Sequence, residues 1–359
     1  MIASGRVKTA TIESPPRVSG GRFRALFETA AADNGFLRIG VARAEAPPHG
    51  PAFEAWIEAG FHASMGYLER SRGLRRHPSE LLAGARTVIV LAHAYPSGDP
   101  TAGDGTRTAR YALAEDYHRT LRRKAQRVVA AVEDAGGAFA SRICVDSAPL
   151  NERDFAAAAG IGWIGKNGMV LNREDGSWFL LCEILTDLDL PVDVPQADQC
   201  GNCTRCLDAC PTDAFVRPGV LDAGRCLSYW TIEQRDVIPD DVAARMDGWV
   251  FGCDVCQEVC PYNRAIDTSA FERTPPTLGA LLETGAAEWK RRFGDTPLSR
   301  AGAAGLRRNA AAVAAGADSR ALLPALERLA RGSHPVVAEQ ARRAVAEQAR
   351  RAPAESGRP

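Results

Sequence analysis

The chain has 359 residues, a formal net charge of zero, 45% hydrophobic and 25% charged residues, an ordinary globular composition with room for two or three domains that excludes a disordered or collagen-like chain. The longest apolar stretches, residues 87–95 and 178–185, are too short to span a bilayer. Residues 1–18 have neither an apolar core nor a twin arginine, so a loose polar tail over residues 1–20, a cytoplasmic location and no membrane are expected.

Residues 21–195 read as one domain. FRALFETAAADNGF from Phe23 has a helical pattern, LRIGVARA from Leu37 is a strand, FEAWIEAGFH from Phe53 is a second helix, and TVIVLAHAY from Thr87 is a second strand. The turn-rich PSGDPTAGDGT from Pro96 leads into a basic helix from Tyr117, the strand AFASRICVD from Ala138, and SWFLLCEILTDLDL from Ser177, which alternates like a central or hairpin strand. Helices and strands are intermixed without regular alternation, which predicts an α+β sheet sandwich rather than a doubly wound sheet.

Gly160, Gly162 and Gly165 match the dinucleotide pattern G-x-G-x-x-G. The context is wrong, because a helical DFAAAA precedes them and a loop and strand, KNGMVLN, follow, where a strand-to-helix passage is required. These glycines are expected to let the backbone approach a bulky ligand. Polar residues concentrate around Asp116 and His118, around Asp146 and Arg153, and around Lys166 and Asn167. Taken alone, an aspartate before serine such as Asp146 reads as a turn or cap residue.

The second half carries two cysteine runs. CGNCTRCLDACP from Cys200 has the C-x2-C-x2-C-x3-C-P spacing by which bacterial ferredoxins hold 4Fe-4S clusters, the fourth cysteine reaching across to the other cluster. CDVCQEVCP from Cys253 is a copy lacking one ligand, and Cys226 completes the set. One cluster is therefore assigned to Cys200, Cys203, Cys206 and Cys260, the other to Cys226, Cys253, Cys256 and Cys210. Zinc would use closed four-ligand sites with no need of the prolines, and disulfides suit secreted chains. Cys144 and Cys182 fall in strand patterns and read as small buried apolar residues. Because clusters only move electrons, the large domain attached to this module, residues 196–265, favours an enzyme over a carrier.

The charge is segregated along the chain. Residues 200–260 hold ten Asp/Glu against five Lys/Arg, whereas residues 290–351 hold thirteen Lys/Arg against five Asp/Glu. Net neutrality argues against a nucleic-acid partner, and this distribution restores one. The basic tail, residues 280–352, breaks into LRRNAAAVAAGA, SRALLPALERLARG and HPVVAEQARRAVAEQARR, the first and third alike, which suggests a short HEAT-like helical repeat that must dock on the rest.

The strings RYALAEDYH, VDSAP with the following Leu150, Glu152 and Arg153, AGIGWIGKNGMVLNREDGSWF, CGNCTRCLDACPT, RCLSYWTIE and GCDVCQEVCPYNR, in this order, resemble the epoxyqueuosine reductase family over residues 23–264. The basic tail is similar to the C-terminal HEAT-like domain of that family. The resemblance implies a nitroreductase-like cobalamin-binding catalytic domain, a bacterial-type two-cluster ferredoxin domain, and reduction of epoxyqueuosine to queuosine at the wobble position of tRNA. It implies base-off cobalamin, and the D-x-H-x-x-G pattern of histidine-supplying cobalamin proteins is indeed broken, with Leu121 standing in the glycine position after Asp116 and His118. Asp146 matches the family's proton donor, a role that at neutral pH calls for burial to raise its pKa. Asp116, His118 and Arg153 are expected as polar walls of the site. Val170, Ser228, Thr231, Cys253 and Asp254 are expected at the corrin edge, and tail arginines such as Arg307 and Arg308 on tRNA phosphates. A low-potential donor such as flavodoxin or ferredoxin would supply electrons. The competing readings are a small-molecule reductive dehalogenase or corrinoid-reducing enzyme, and an electron-carrying iron-sulfur subunit.

Overall fold

The computed structural model describes residues 19–264, 271, 273–316 and 320–351; most of the expected polar tail, residues 1–20, lies outside them. Four antiparallel strands form the main sheet, in the spatial order Arg38–Arg43, Thr87–Ala94, Phe179–Thr186, Ser141–Cys144. The two central strands are the β-branched and apolar runs TVIVLAHA and FLLCEILT, as expected of strands covered on both faces. Period-two alternation sends Ile89, Leu91, Cys182 and Ile184 into one core and Val88, Val90, Ala92, Cys144 and Leu185 into the other. Each fully buried Val, Leu or Ile contributes about 1.5–3 kcal/mol of hydrophobic stabilisation. The helices Gly20–Asp33 and Tyr117–Gly136 cover the first face through Phe27, Leu121 and Val128, and the helix Glu152–Ala158 covers the second through Phe155 and Ala156.

Both covering helices of the first face start on side-chain caps, Ser19 and Asp116. The second ends at Gly137, whose φ of +97° suits only glycine.

A separate core joins the cluster segment to the tail. Trp249 and Phe251, on a short strand paired in parallel with Arg107–Thr108, are fully buried among Leu281, Leu306 and Leu326. The tail helix Gly302–Gly316 is also stitched on by polar groups. Arg308 donates to the carbonyls of Trp230 at 2.6 Å, Gln234 at 2.6 Å and Asp236 at 2.9 Å, and Asn309 donates to those of Thr231 and Val250 at 2.8 Å. Arg308 is 1% exposed, so the phosphate contact expected of it is corrected to a structural one. Arg307 is half-buried and donates to the Thr284 carbonyl.

The glycine-rich segment after Glu152–Ala158 enters a hairpin, Trp163–Ile164 with Val170–Leu171, and no dinucleotide-type strand-to-helix turn is formed there. A Cβ on Gly162 would overlap the Leu171 carbonyl, and one on Gly160 would come within 2.7 Å of the Val194 carbonyl. At Gly160 and Gly162 the close approach is made by the protein's own backbone, and at Gly165 by the Leu171 side chain. The far side of the hairpin packs on the cluster segment, Trp163 standing edge-on to Tyr262 at 5.0 Å.

Candidate active site and cluster cavity

Asp116 opens the helix Tyr117–Gly136 and accepts from the His118 backbone N–H at 3.1 Å, and its Oδ1 meets His118 Nδ1 at 2.8 Å. The second ring nitrogen, Nε2, meets Asp146 Oδ2 at 2.9 Å, and the Tyr117 hydroxyl donates to that same oxygen at 2.7 Å. His118 thus bridges two carboxylates with both nitrogens committed. The Tyr117 ring lies over the imidazole, centroids 4.1 Å apart, and Tyr111 stands edge-on to Tyr117 at 5.9 Å.

Asp146 follows the edge strand Ser141–Cys144 with a φ of +47°, a left-handed value uncommon outside glycine. Its backbone N–H donates to Glu152 Oε1 at 2.5 Å. The side chain is 58% exposed, opening into a cleft whose other wall comes from elsewhere in the chain. Arg300, near the tail, donates to both oxygens of Glu233 at 2.9 Å and lies 5.9 Å from the centre of the Tyr67 ring. The Arg300 charge acts on Asp146. Glu233 ends the helix Leu227–Ile232, whose first cap is Cys226. The Asp116 backbone N–H donates to the Asp295 carbonyl at 2.7 Å, so the tail also meets the segment that carries His118.

Burial pushes the Asp146 carboxyl up, but the hydrogen bonds from His118 and Tyr117, with the charges of His118 and Arg300, outweigh it and leave the group below the ordinary carboxylate range. The same contact with Asp146 raises His118, burial opposes it, and Asp116 adds to the rise. Among the protein's own groups Asp146 is thus lowered and His118 raised, opposite to the direction expected for Asp146 buried beside corrin and substrate.

Other expected site residues are placed apart from this relay. Arg153 donates to the Gly168 carbonyl at 2.6 Å, pinning the hairpin loop. Lys166 donates to the carbonyls of Gly201 at 2.6 Å and Cys203 at 3.0 Å, and Asn167 to that of Cys256 at 3.3 Å. Thr231 is fully buried, its hydroxyl donating to the Leu227 carbonyl at 2.8 Å and accepting from the Gly252 N–H at 2.9 Å; it presents no surface to a corrin edge. Asp254 is 4% exposed, and its carboxylate takes the Arg110 backbone N–H at 2.8 Å and guanidinium at 3.2 Å, so only its backbone is left for a cofactor. Val170 is buried. Ser228 is half-buried, and it hydrogen-bonds Cys226 through both its backbone N–H and its side chain. Tyr117, Tyr67, Arg300 and Glu233 were not anticipated. Tyr117 adjoins Asp116 and His118 in sequence, whereas Arg300 carries no local sign of its destination.

The cysteines fall into two spatial groups. Cys200, Cys203, Cys206 and Cys260 line a cavity of about 420 Å³ together with Lys166, Leu171 and Tyr262. Cys253 lies within charge-interaction range of Cys226 and Cys210, and Cys256 of Cys253, Cys226 and Cys206, so the groups adjoin. Among the described residues no three Cys, His, Asp or Glu side chains converge to hold a single metal ion; thiolates around a cubane instead stand back from one another across the cluster. Backbone N–H groups point at the sulfurs, from Ala214 to Cys210 at 3.3 Å, from Tyr229 to Cys226, from Val255 to Cys253 and from Tyr262 to Cys260. Such donors suit the charge of an iron-sulfur cluster.

Two family descriptions match the chain: the 4Fe-4S double cluster binding domain over residues 199–263 and "Epoxyqueuosine reductase QueG, DUF1730" over residues 75–147. An epoxyqueuosine reductase of Vibrio cholerae is 41% identical over 240 residues, covering 65% of this chain and 65% of the relative, just under two thirds of its length. That of Synechocystis is 40% identical over 273 residues, 72% of this chain and 93% of the relative. A crystal structure of epoxyqueuosine reductase with an epoxyqueuosine-modified tRNA stem loop superposes with a TM-score of 0.84 at 30% identity, covering 91% of this chain and 90% of that one. With motif order, cluster cysteines and the whole fold in agreement, this chain belongs to the epoxyqueuosine reductase family.

Proposed function

We propose that the chain reduces epoxyqueuosine to queuosine at the wobble position of tRNA, the last step of queuosine synthesis. Both carbon–oxygen bonds of the epoxide break and a carbon–carbon double bond forms, while two electrons and two protons enter and water leaves. The observation that carries the reading is the Asp146–His118 pair, with Asp146 exposed and Tyr67 within charge range of Asp146, Glu233 and Arg300.

The cofactors are two 4Fe-4S clusters and cobalamin. The cluster ligands are assigned as Cys200, Cys203, Cys206 and Cys260, and as Cys226, Cys253, Cys256 and Cys210. The residues present fit a cobalamin that takes no histidine from this site: both nitrogens of His118 are held by carboxylates, and the exposed Tyr67 ring offers an apolar wall; the base-off form is the one the family resemblance implies. When bound, cobalamin supplies a low-valent cobalt able to attack or reduce the epoxide. Ser228 through its hydroxyl, and Val170, Cys253 and Asp254 through their backbones, are assigned to its edge.

The protein's own groups move the proton. Asp146 stands as proton donor to the departing oxygen, receiving its proton from His118, while Asp116 holds the imidazole in orientation and Tyr117 fixes the accepting oxygen. Arg153 acts from further off, by holding the hairpin loop.

The catalytic domain, residues 21–195, is read as nitroreductase-like, residues 196–265 as ferredoxin-like, and residues 280–352 as HEAT-like. Among the described residues no helix is long and apolar enough to cross a membrane; a cytoplasmic location and a flavodoxin or ferredoxin as electron donor complete the proposal. A wobble base in a single-stranded loop can be splayed into the cleft without melting a helix. Nucleoside mass spectrometry of bulk tRNA from a strain lacking this chain is expected to show epoxyqueuosine accumulating and queuosine lost. Normal queuosine in that strain, with no second enzyme present, contradicts the proposal.

A further inference from the structure

Beneath the Asp146 loop lies a pair of carboxyls that the chemistry above does not use. Glu183 stands in the middle of the strand Phe179–Thr186, opposite Val90 on one side and Cys144 on the other, and is completely buried. Strand alternation turns it to the face where Val90, Cys144, Phe155 and Leu185 pack, under the helix Glu152–Ala158. A carboxyl in such surroundings is held by pairing or by protonation.

Neither Glu183 oxygen has a hydrogen-bond donor among the described residues, and the group facing it is the carboxyl of Glu152. Two carboxylates are acceptors only, so the contact is a bond only when one of them carries a proton. Burial, followed by the Glu152 charge, raises Glu183 far above the ordinary range, and burial followed by the Asp146 charge raises Glu152. Arg153 and Arg75 lie within charge range of Glu152, and Arg153 opposes its rise without cancelling it, while the hydrogen bonds of the nearby arginines go to backbone carbonyls. Arg75 donates to the Leu150 carbonyl at 2.9 Å, Arg142 to that of Leu81 at 2.7 Å and Arg153 to that of Gly168 at 2.6 Å. Arg122, on the helix Tyr117–Gly136, is exposed. The remaining charged neighbour is the Asp146 carboxylate, and Cys144 is a buried thiol whose pKa is pushed up to about 12 by burial.

Glu152 also holds the catalytic loop, since its Oε1 accepts the Asp146 backbone N–H. That amide belongs to the residue with the left-handed φ of +47°, a conformation that persists only when its surroundings impose it. We propose that Glu152 and Glu183 are positioning residues for the reduction: sharing one proton, they clamp the Asp146 amide and so keep the Asp146 carboxyl on His118 and Tyr117. Glu183 carries the proton and donates to Glu152, which accepts from the loop. The clamp is intact while the shared proton is bound and opens as pH rises through the pair's raised value, when two adjacent carboxylates, the fully buried Glu183 and the half-buried Glu152, repel. The inference rests on the assignment of Asp146 as proton donor.

Three variants and two readouts test it, on the full chain with clusters and cobalamin. E152A removes the acceptor and is expected to lower kcat about tenfold or more with KM for epoxyqueuosine-tRNA unchanged, an orientation loss; E152Q, which keeps an acceptor oxygen, restores most of it. E183Q supplies a permanent N–H donor, so kcat near neutrality stays at the wild-type level and the alkaline limb of the kcat profile moves to higher pH, the limit then being set by His118. Infrared spectroscopy of the protein without substrate is expected to show a protonated-carboxyl stretch that E183Q lacks. A fully active E152A with the wild-type pH profile, or a wild-type spectrum without that band, overturns the positioning role. A wild-type protein inactive on epoxyqueuosine-tRNA overturns the functional reading instead, and the infrared band then still decides whether the pair shares a proton.

Discussion

The cluster segment and the Asp146 cleft hold their reactive groups by different means. Cys226 and Cys260 are the N-terminal caps of helical turns, Leu227–Ile232 and Pro261–Asn263, where free backbone N–H groups point at their sulfurs. Ligand geometry there is written into the main chain, which suits a cofactor that must reorganise little while passing electrons. In the cleft, Tyr117, His118 and Asp146 hold one another through side chains from two segments, on a backbone bent into a left-handed residue. A proton donor has to give up and regain its partner, and side-chain contacts permit that.

The contrast is broken most completely by removing a thiolate. Cys226→Ser is expected to abolish turnover and to lower iron and labile sulfide by about half, the loss of one of two clusters; full iron content would remove Cys226 from the ligand set. Next in size, Asp146→Asn is expected to lower kcat by roughly 10²–10⁴-fold, the range of general acid catalysis, with iron content and melting temperature at wild-type levels.

His118→Gln tests the same cleft more gently, with kcat falling about 10–100-fold because Asp146 loses its proton source while keeping its position. The pH dependence has a definite sign. His118 is raised, so its stabilising contact is complete below the ordinary histidine range and is lost as pH rises through the raised value. Asp146 is lowered, so its contribution is complete above the ordinary aspartate range and is lost as pH falls through the lowered value. Wild-type activity should therefore fall on both sides of a plateau bounded on the acid side by Asp146 and on the alkaline side by the Glu152–Glu183 pair and then His118, and His118→Gln should lose the part of the alkaline limb that His118 sets.

The smallest effects sharpen the division between structural and reactive polar groups. Arg308→Met leaves three partly buried carbonyls without their donor, costing about 1–3 kcal/mol. The melting temperature should drop by several degrees while tRNA affinity per folded molecule is unchanged. Thr231→Val strands the Gly252 N–H at about 1–2 kcal/mol, again with no change in cobalamin affinity.

The legible parts of this molecule were those written in order and period. The cysteine runs declare a cluster segment by their spacing, and the central strands declare themselves as TVIVLAHA and FLLCEILT. What stayed hidden depends on which way a side chain turns after the chain has folded. Arg307 and Arg308 are adjacent and chemically alike, yet one is half-buried and the other enclosed by carbonyls; counting charge along the tail cannot separate them. Asp146 was read as a group whose burial dominates, and the opposing hydrogen bonds from Tyr117 and His118 reversed the sign. Glu183 did leave a signal, a lone carboxyl inside an apolar strand, where a charge needs a partner or a proton.

The proposed division of labour sends electrons through the cluster segment and protons through Asp146. Both can be followed in Asp146→Asn loaded with clusters and cobalamin, given reductant and epoxyqueuosine-tRNA, with cobalt reduction read by visible absorption and queuosine by mass spectrometry. The prediction is cobalt reduction at the wild-type rate with queuosine formation nearly abolished. Queuosine formed at the wild-type rate would contradict it.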